Sequence, residues 1–200
     1  AQTCLPVEHA NLRGPDYYPS HRYISRMQQA VRILYGSASP SEAFKSSAIE
    51  VQAIDLAEFL RHVADNAGVA NLSCDPGVGP VLVRADEYAL EDVFTHVLKN
   101  AERCRQSGTP ITMTLETSDT AATVSIHNVG APIPGELMDR IFEYGVSDQL
   151  DSGANGNRGQ GLFVAKTYMA KMGGTISASN VEDGVSLVLT LQRMRSGQAR

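Results

Sequence analysis

Between Glu87 and Gln106 the apolar residues Leu90, Val93, Phe94, Val97, Leu98 and Ala101 fall at i, i+3, i+4, i+7, i+8 and i+11. That is one face of a 3.6-residue period, so this stretch predicts a long amphipathic helix with a stripe that must be covered. Asp86 stands ahead of it as an N-cap. The covering surface is legible downstream. Ile111–Thr117 and Thr123–His127 alternate apolar and polar residues across Ser118-Asp119-Thr120, and Thr175–Ala178 and Val185–Leu191 do so across Glu182-Asp183-Gly184. Both pairs read as β-hairpins with one apolar face each.

Other elements fill in around these. Asp55 caps a helix through Val63, with Glu58 three residues on, and Gly68 ends it. Short strands are predicted at Asn71–Asp75 and Val81–Arg84, with a Pro-Gly-rich turn between them. Pro134 to Phe142 and Gly161 to Met172 read as further helices, the second closed by Gly173-Gly174. Strands arranged as hairpins, without repeated βαβ units, predict an α/β two-layer sandwich. In it a mixed β-sheet carries its helices on one face.

Ahead of this body, residues 1–19 are rich in Pro, Gly and Tyr and read as irregular. Ser20–Tyr35 has a helical stripe, and residues 36–54 read as a linker. The expected organisation is an N-terminal segment over 1–54, a principal domain over 55–193 and a tail over 194–200. Two hundred residues at 42% hydrophobic support a real core, and a net charge of −5 argues against a nucleic-acid footprint. No apolar run reaches the roughly 20 residues of a membrane span. Three scattered cysteines and no signal-peptide pattern predict a soluble cytoplasmic domain, with no direct membrane contact. The first residue is Ala, not Met, and the expectation is a fragment of a longer chain.

Four motifs carry the chemistry. His96, Asn100 and Arg103 share a second face of the long helix; imidazole, amide and guanidinium in one row can serve water, a hydrated cation and phosphate oxygens. The plainer reading is a solvated helix face. Asn128, at a strand end beside Gly130 and ahead of Pro132-Ile133-Pro134, offers a short amide to the edge of a flat base; an ordinary turn is the alternative. Phe142 closes the short helix ahead of a long small-and-polar run from Gly145 to Gly159, expected to be a mobile active-site lid. Finally Arg158, Gly159, Gly161 and Leu162 lead into a helix whose N-terminus favours an anion.

In this order the motifs resemble the N, G1, F and G2 boxes of the catalytic and ATP-binding domain of sensor histidine kinases, in the GHKL superfamily. The resemblance covers about residues 55 to 193. It implies that Asn100 holds Mg2+ through the phosphates, and that Arg103 and Arg158 contact phosphate oxygens. It also implies that Asn128, Gly130 and Ile133 flank adenine, and that Phe142, Gly159, Gly161 and Leu162 complete the ATP site. His96 stands where other superfamily members carry a water-activating Glu, which suits phosphotransfer better than hydrolysis.

Three positions depart from the family pattern. Asn128 replaces an Asp, Pro132 a common second glycine, and Cys104 an aromatic residue, so weakened nucleotide binding is one expectation. The resemblance implies ATP and Mg2+ as cofactors. It implies as partners a histidine-bearing dimerisation domain, homodimeric in the full-length protein, and a response regulator. His9 and His21 sit in poor helical contexts, so the phosphoacceptor is expected outside this chain, and Ser20–Tyr35 is read as part of a dimerisation helix. Two alternatives remain: a degenerate pseudokinase or phosphotransfer adaptor, and an anti-sigma-type serine kinase.

Overall fold

The structure is a computed structural model that describes residues 48–146 and 159–194. The Ser20–Tyr35 helix, the body of the predicted lid and Arg158 lie outside the described residues. In order, the elements are β1 (Gln52–Asp55), α1 (Leu56–Asn66), β2 (Leu72–Asp75), β3 (Leu82–Ala85), α2 (Glu87–Cys104), β4 (Ile111–Thr117) and β5 (Ala121–Val129). They continue with α3 (Gly135–Met138), α4 (Gly161–Lys171), β6 (Thr175–Val181) and β7 (Gly184–Gln192).

The main sheet has five strands in the order β2-β4-β5-β7-β6. β2 runs parallel to β4, and every other pairing is antiparallel, so the sheet is mixed as predicted. Both predicted hairpins form. Alternation does the rest: Ile111 and Met113, Ala122, Val124 and Ile126, and Val185, Leu187, Leu189 and Leu191 are all buried on one face. Against that face lies the apolar stripe of α2, with Leu90, Val93, Phe94, Val97, Leu98 and Ala101 buried as expected. Each fully buried Leu, Val, Ile or Phe contributes roughly 1.5–3 kcal/mol of transfer free energy. α4 packs along α2, and α1 joins through Phe59, whose ring meets Phe94 edge-on at 5.6 Å.

The predicted pair at 71–75 and 81–84 forms two strands that do not pair with each other. β2 joins β4 in parallel, while β3 pairs antiparallel with β1, a strand that runs from the end of the predicted linker to Asp55. β1 carries no alternation that marks it, since Gln52 and Ala53 are exposed. Its place is set by tertiary hydrogen bonds. Asp55 Oδ1 accepts from Ala57 N–H at 3.1 Å as the N-cap of α1, and also from Val81 N–H at 3.0 Å. Leu56 N–H donates to Val81 O at 2.8 Å. Asp86 is doubly used too, accepting from Ala89 N–H at 2.9 Å and Glu50 N–H at 2.6 Å. α1 ends at Ala67 before Gly68, whose φ is +64°. At the far end Met194 N–H donates to Leu82 O at 2.8 Å, tying the residue after Arg193 to β3. No described helix is long and apolar enough to cross a membrane.

Candidate functional site

The alternation that makes β5 a core strand also places a polar side chain in the core. Ala122, Val124 and Ile126 face the helices, and Asn128 is the next residue on that face, 2% exposed. Its backbone pairs with Ile111 on one side and Val185 on the other. Among the described residues its Nδ2 has no hydrogen-bond partner. Leaving such a donor buried and unmet costs about 1–3 kcal/mol, so the position is unfavourable unless something enters to accept from it.

Gly130 lies just beyond. Gln106 N–H donates to Val129 O at 2.8 Å and Gly130 N–H to Asp183 O at 3.1 Å, so the end of β5 is held between the end of α2 and the β6–β7 turn. A Cβ on Gly130 would stand 2.4 Å from the Cys104 carbonyl oxygen and 3.3 Å from Asn128 Nδ2. The glycine therefore has a packing reason besides any room it leaves for a base: the last turn of α2 rests on its backbone. Ile133 is clamped by a side chain 47 residues away. Asn180 Oδ1 accepts from Ile133 N–H at 2.8 Å, and Asn180 Nδ2 donates to Ile133 O at 2.9 Å.

Toward the middle of α2 the predicted polar row is present and graded. His96 and Asn100 are half-buried and Arg103 is exposed. Arg103 Nη2 donates to Asn100 Oδ1 at 3.1 Å, so these two already meet. His96 lies against the start of α4, where a Cβ on Gly161 would be 3.2 Å from His96 Nδ1. Among the described residues no side chain caps α4, whose N-cap residue is Gln160. Its first N–H groups and positive dipole end therefore lie beside the polar row. His96 to Cys104 is about 12 Å along the axis at 1.5 Å per residue. The buried amide and the uncapped helix end are thus spaced along one helix, as the base and the phosphates of a nucleotide are.

Phe142 is 9% exposed, with Lys166 Nζ 5.5 Å from its ring centroid. Tyr144 meets Phe163 edge-on at 5.4 Å and accepts from Gln160 Nε2 at 3.1 Å. Gly145 N–H donates to Gly159 O at 2.9 Å. Gly159 has φ +78°, and a Cβ there would fall 2.6 Å from the Gly145 carbonyl carbon. Both stems of the 147–158 segment are therefore pinned side by side by glycine backbones. Leu162 is half-buried in the first turn of α4.

Among the described residues no three His, Cys, Asp or Glu side chains gather as a metal cage. The amide oxygen of Asn100 is an oxygen donor suited to a cation that keeps most of its ligands from phosphate and water. Burial raises the Cys74 thiol pKa, and its Sγ lies 3.8 Å from Leu60 O, away from this site. Sequence reasoning passed over Asn180 and Asp183. The only local cue was their place near a hairpin turn, because their partners are distant in the chain.

Comparison with known proteins places this geometry. Residues 85–195, more than half of the chain, match the model of the histidine kinase-, DNA gyrase B-, and HSP90-like ATPase family. The chain is 30% identical over 118 residues to the sensor histidine kinase YcbM of Bacillus subtilis, covering 58% of this chain and 38% of that protein. It is 29% identical over 111 residues to the sensor histidine kinase CusS of Escherichia coli, covering 54% of this chain and 23% of the relative. It thus spans well under two thirds of these relatives. The solved catalytic domain of histidine kinase ThkA superposes with a TM-score of 0.62 at 25% identity, over 72% of this chain and 97% of that domain. A buried amide, an uncapped helix end and a family match that spans both lead to one conclusion: the chain belongs to the histidine kinase-, DNA gyrase B-, and HSP90-like ATPase family.

Proposed function

We propose that this domain binds ATP with Mg2+ and is the catalytic part of a sensor histidine kinase. In this reading it transfers the γ-phosphoryl group to a histidine on a dimerisation domain outside the described residues, for relay to a response regulator. The observation that carries the reading is Asn128, a buried amide whose donor is unmet at the end of a core strand. Oδ1 can accept from the exocyclic amine of adenine while Nδ2 donates to the adjacent ring nitrogen, so one side chain reads both.

The other residues then take defined tasks. Ile133, fixed by Asn180, walls the base, and Gly130 keeps the Asn128 flank clear. The first N–H groups of α4 and the Arg103 guanidinium bind phosphate oxygens. Asn100 Oδ1, which accepts from Arg103 here, would hold the cation, whose charge would offset that of the phosphates. ATP, when bound, supplies the phosphoryl group. An acceptor imidazole nitrogen forms the new N–P bond as the bond to the β-phosphate oxygen breaks. His96, half-buried against Gly161, puts no carboxylate where a water could be activated, which supports transfer over hydrolysis. The resemblance assigns Arg158, Gly159 and Leu162 to the same phosphate-side set, and Phe142 is buried with Lys166 Nζ 5.5 Å from its ring centroid.

Calorimetric titration with ADP and Mg2+ should give saturable binding. Radiolabel from ATP should move to a supplied histidine-bearing domain as an acid-labile, base-stable phosphoprotein. Absence of saturable binding, or an acid-stable product, would overturn the reading.

A further inference from the structure

Asn128 sets a requirement that its neighbours do not. Its Nδ2 is buried and unmet, so whatever occupies the site must present an acceptor to it. The same amide carries an acceptor, Oδ1, on its other arm. A purine edge can meet this pair in either order. A 6-aminopurine offers an exocyclic N–H donor beside the ring N1 acceptor. A 6-oxopurine offers the O6 acceptor beside an N1–H donor. Exchanging the two orders needs only a half-turn about the terminal torsion of Asn, which is broad and roughly two-fold. No acceptor among the described residues holds Nδ2 in one orientation. Gly130 adds no side chain beside Nδ2, where a Cβ would stand 3.3 Å away.

We infer that the site accepts 6-oxopurine nucleotides alongside adenine nucleotides, with Asn128 as the specificity-determining residue. A carboxylate at this position would have two acceptors and no donor. It would pair with one N–H of either edge and oppose the acceptor beside it, N1 of a 6-aminopurine or O6 of a 6-oxopurine. The amide meets both bases. The inference rests on the proposal above that a purine edge docks at Asn128.

The test uses the whole chain and two diphosphates, ADP and IDP, in Mg2+. IDP differs from ADP at the edge that Asn128 reads and lacks the 2-amino group of guanine. Expected is IDP affinity within about tenfold of ADP for the wild type. In Asn128→Leu, with folding checked by circular dichroism, both ADP and IDP should weaken by at least about tenfold, the cost of leaving both groups of the purine edge unmet. The Asn128 side-chain amide signals, followed by 15N-edited NMR, should shift with both nucleotides and need no variant. ADP binding with IDP more than about 100-fold weaker in the wild type overturns the inference and leaves the ATP-site reading intact. Binding of both without movement of the Asn128 amide also overturns it. If neither nucleotide binds, the ATP-site reading falls, and this inference with it.

Discussion

Replacing Asn128 by Leu should make the empty domain more stable and useless to a nucleotide. Asn128 is 2% exposed and continues the inward row Ala122, Val124 and Ile126, all of them apolar. An unmet buried donor at Nδ2 costs about 1–3 kcal/mol, and Leu removes it while adding apolar surface of similar shape. Slight overpacking against Ile111 and Val185 takes back part of that gain. The net expectation is about 1–2 kcal/mol of added stability, a rise of roughly 2–8 °C in Tm for a domain of this size. The assay is thermal unfolding by circular dichroism with and without ADP and Mg2+. Wild type should gain about 2.7 kcal/mol at a hundredfold excess of ligand over Kd, and Asn128→Leu should gain none. The variant is then the more stable protein alone and the less stable one with ligand. A lowered Tm without nucleotide, or an undiminished shift with it, would refute the reasoning, since Asn128 would then be serving the fold.

Asn180→Ala frees the backbone of Ile133 from bonds of 2.8 and 2.9 Å and should weaken ADP binding about 3- to 10-fold, with less than about 1 kcal/mol lost in urea unfolding. A stability loss that accounts for all of the binding loss would assign Asn180 to the fold alone. Asp86→Ala removes the acceptor for Ala89 N–H and Glu50 N–H in a group 8% exposed, and should cost about 2 kcal/mol of stability with ADP affinity unchanged. Burial disfavours the Cys74 thiolate and raises its pKa, so alkylation of Cys74 at pH 8, read by peptide mass spectrometry, should be slow in the native protein and fast in denaturant. Equal rates in both states would show that the thiol is not shielded.

The legible part of this fold is the part governed by near neighbours. The α2 stripe, both hairpins, the Asp55 and Asp86 caps and the Gly68 stop follow from backbone periodicity and from side chains reaching N–H groups two or three residues away. Asn100, Asn128, Phe142 and Gly161 could be singled out because each stands at a recognisable place on such an element. The pairing of the short strands was not legible. Four residues of alternation do not say which edge they will join, and β2 found β4 while β3 found β1.

What the amino-acid order determined by itself is the set of elements and the order of polar motifs along them. Tertiary structure alone decided that Asn128 is buried without an acceptor and that Cys104 O presses on Gly130. It also decided that His96 lies under Gly161 and that Asn180 reaches back 47 residues to hold Ile133. The reason is physical. A periodic pattern says which face of an element is covered, but a close approach or an unmet hydrogen bond depends on what another part of the chain brings to that face.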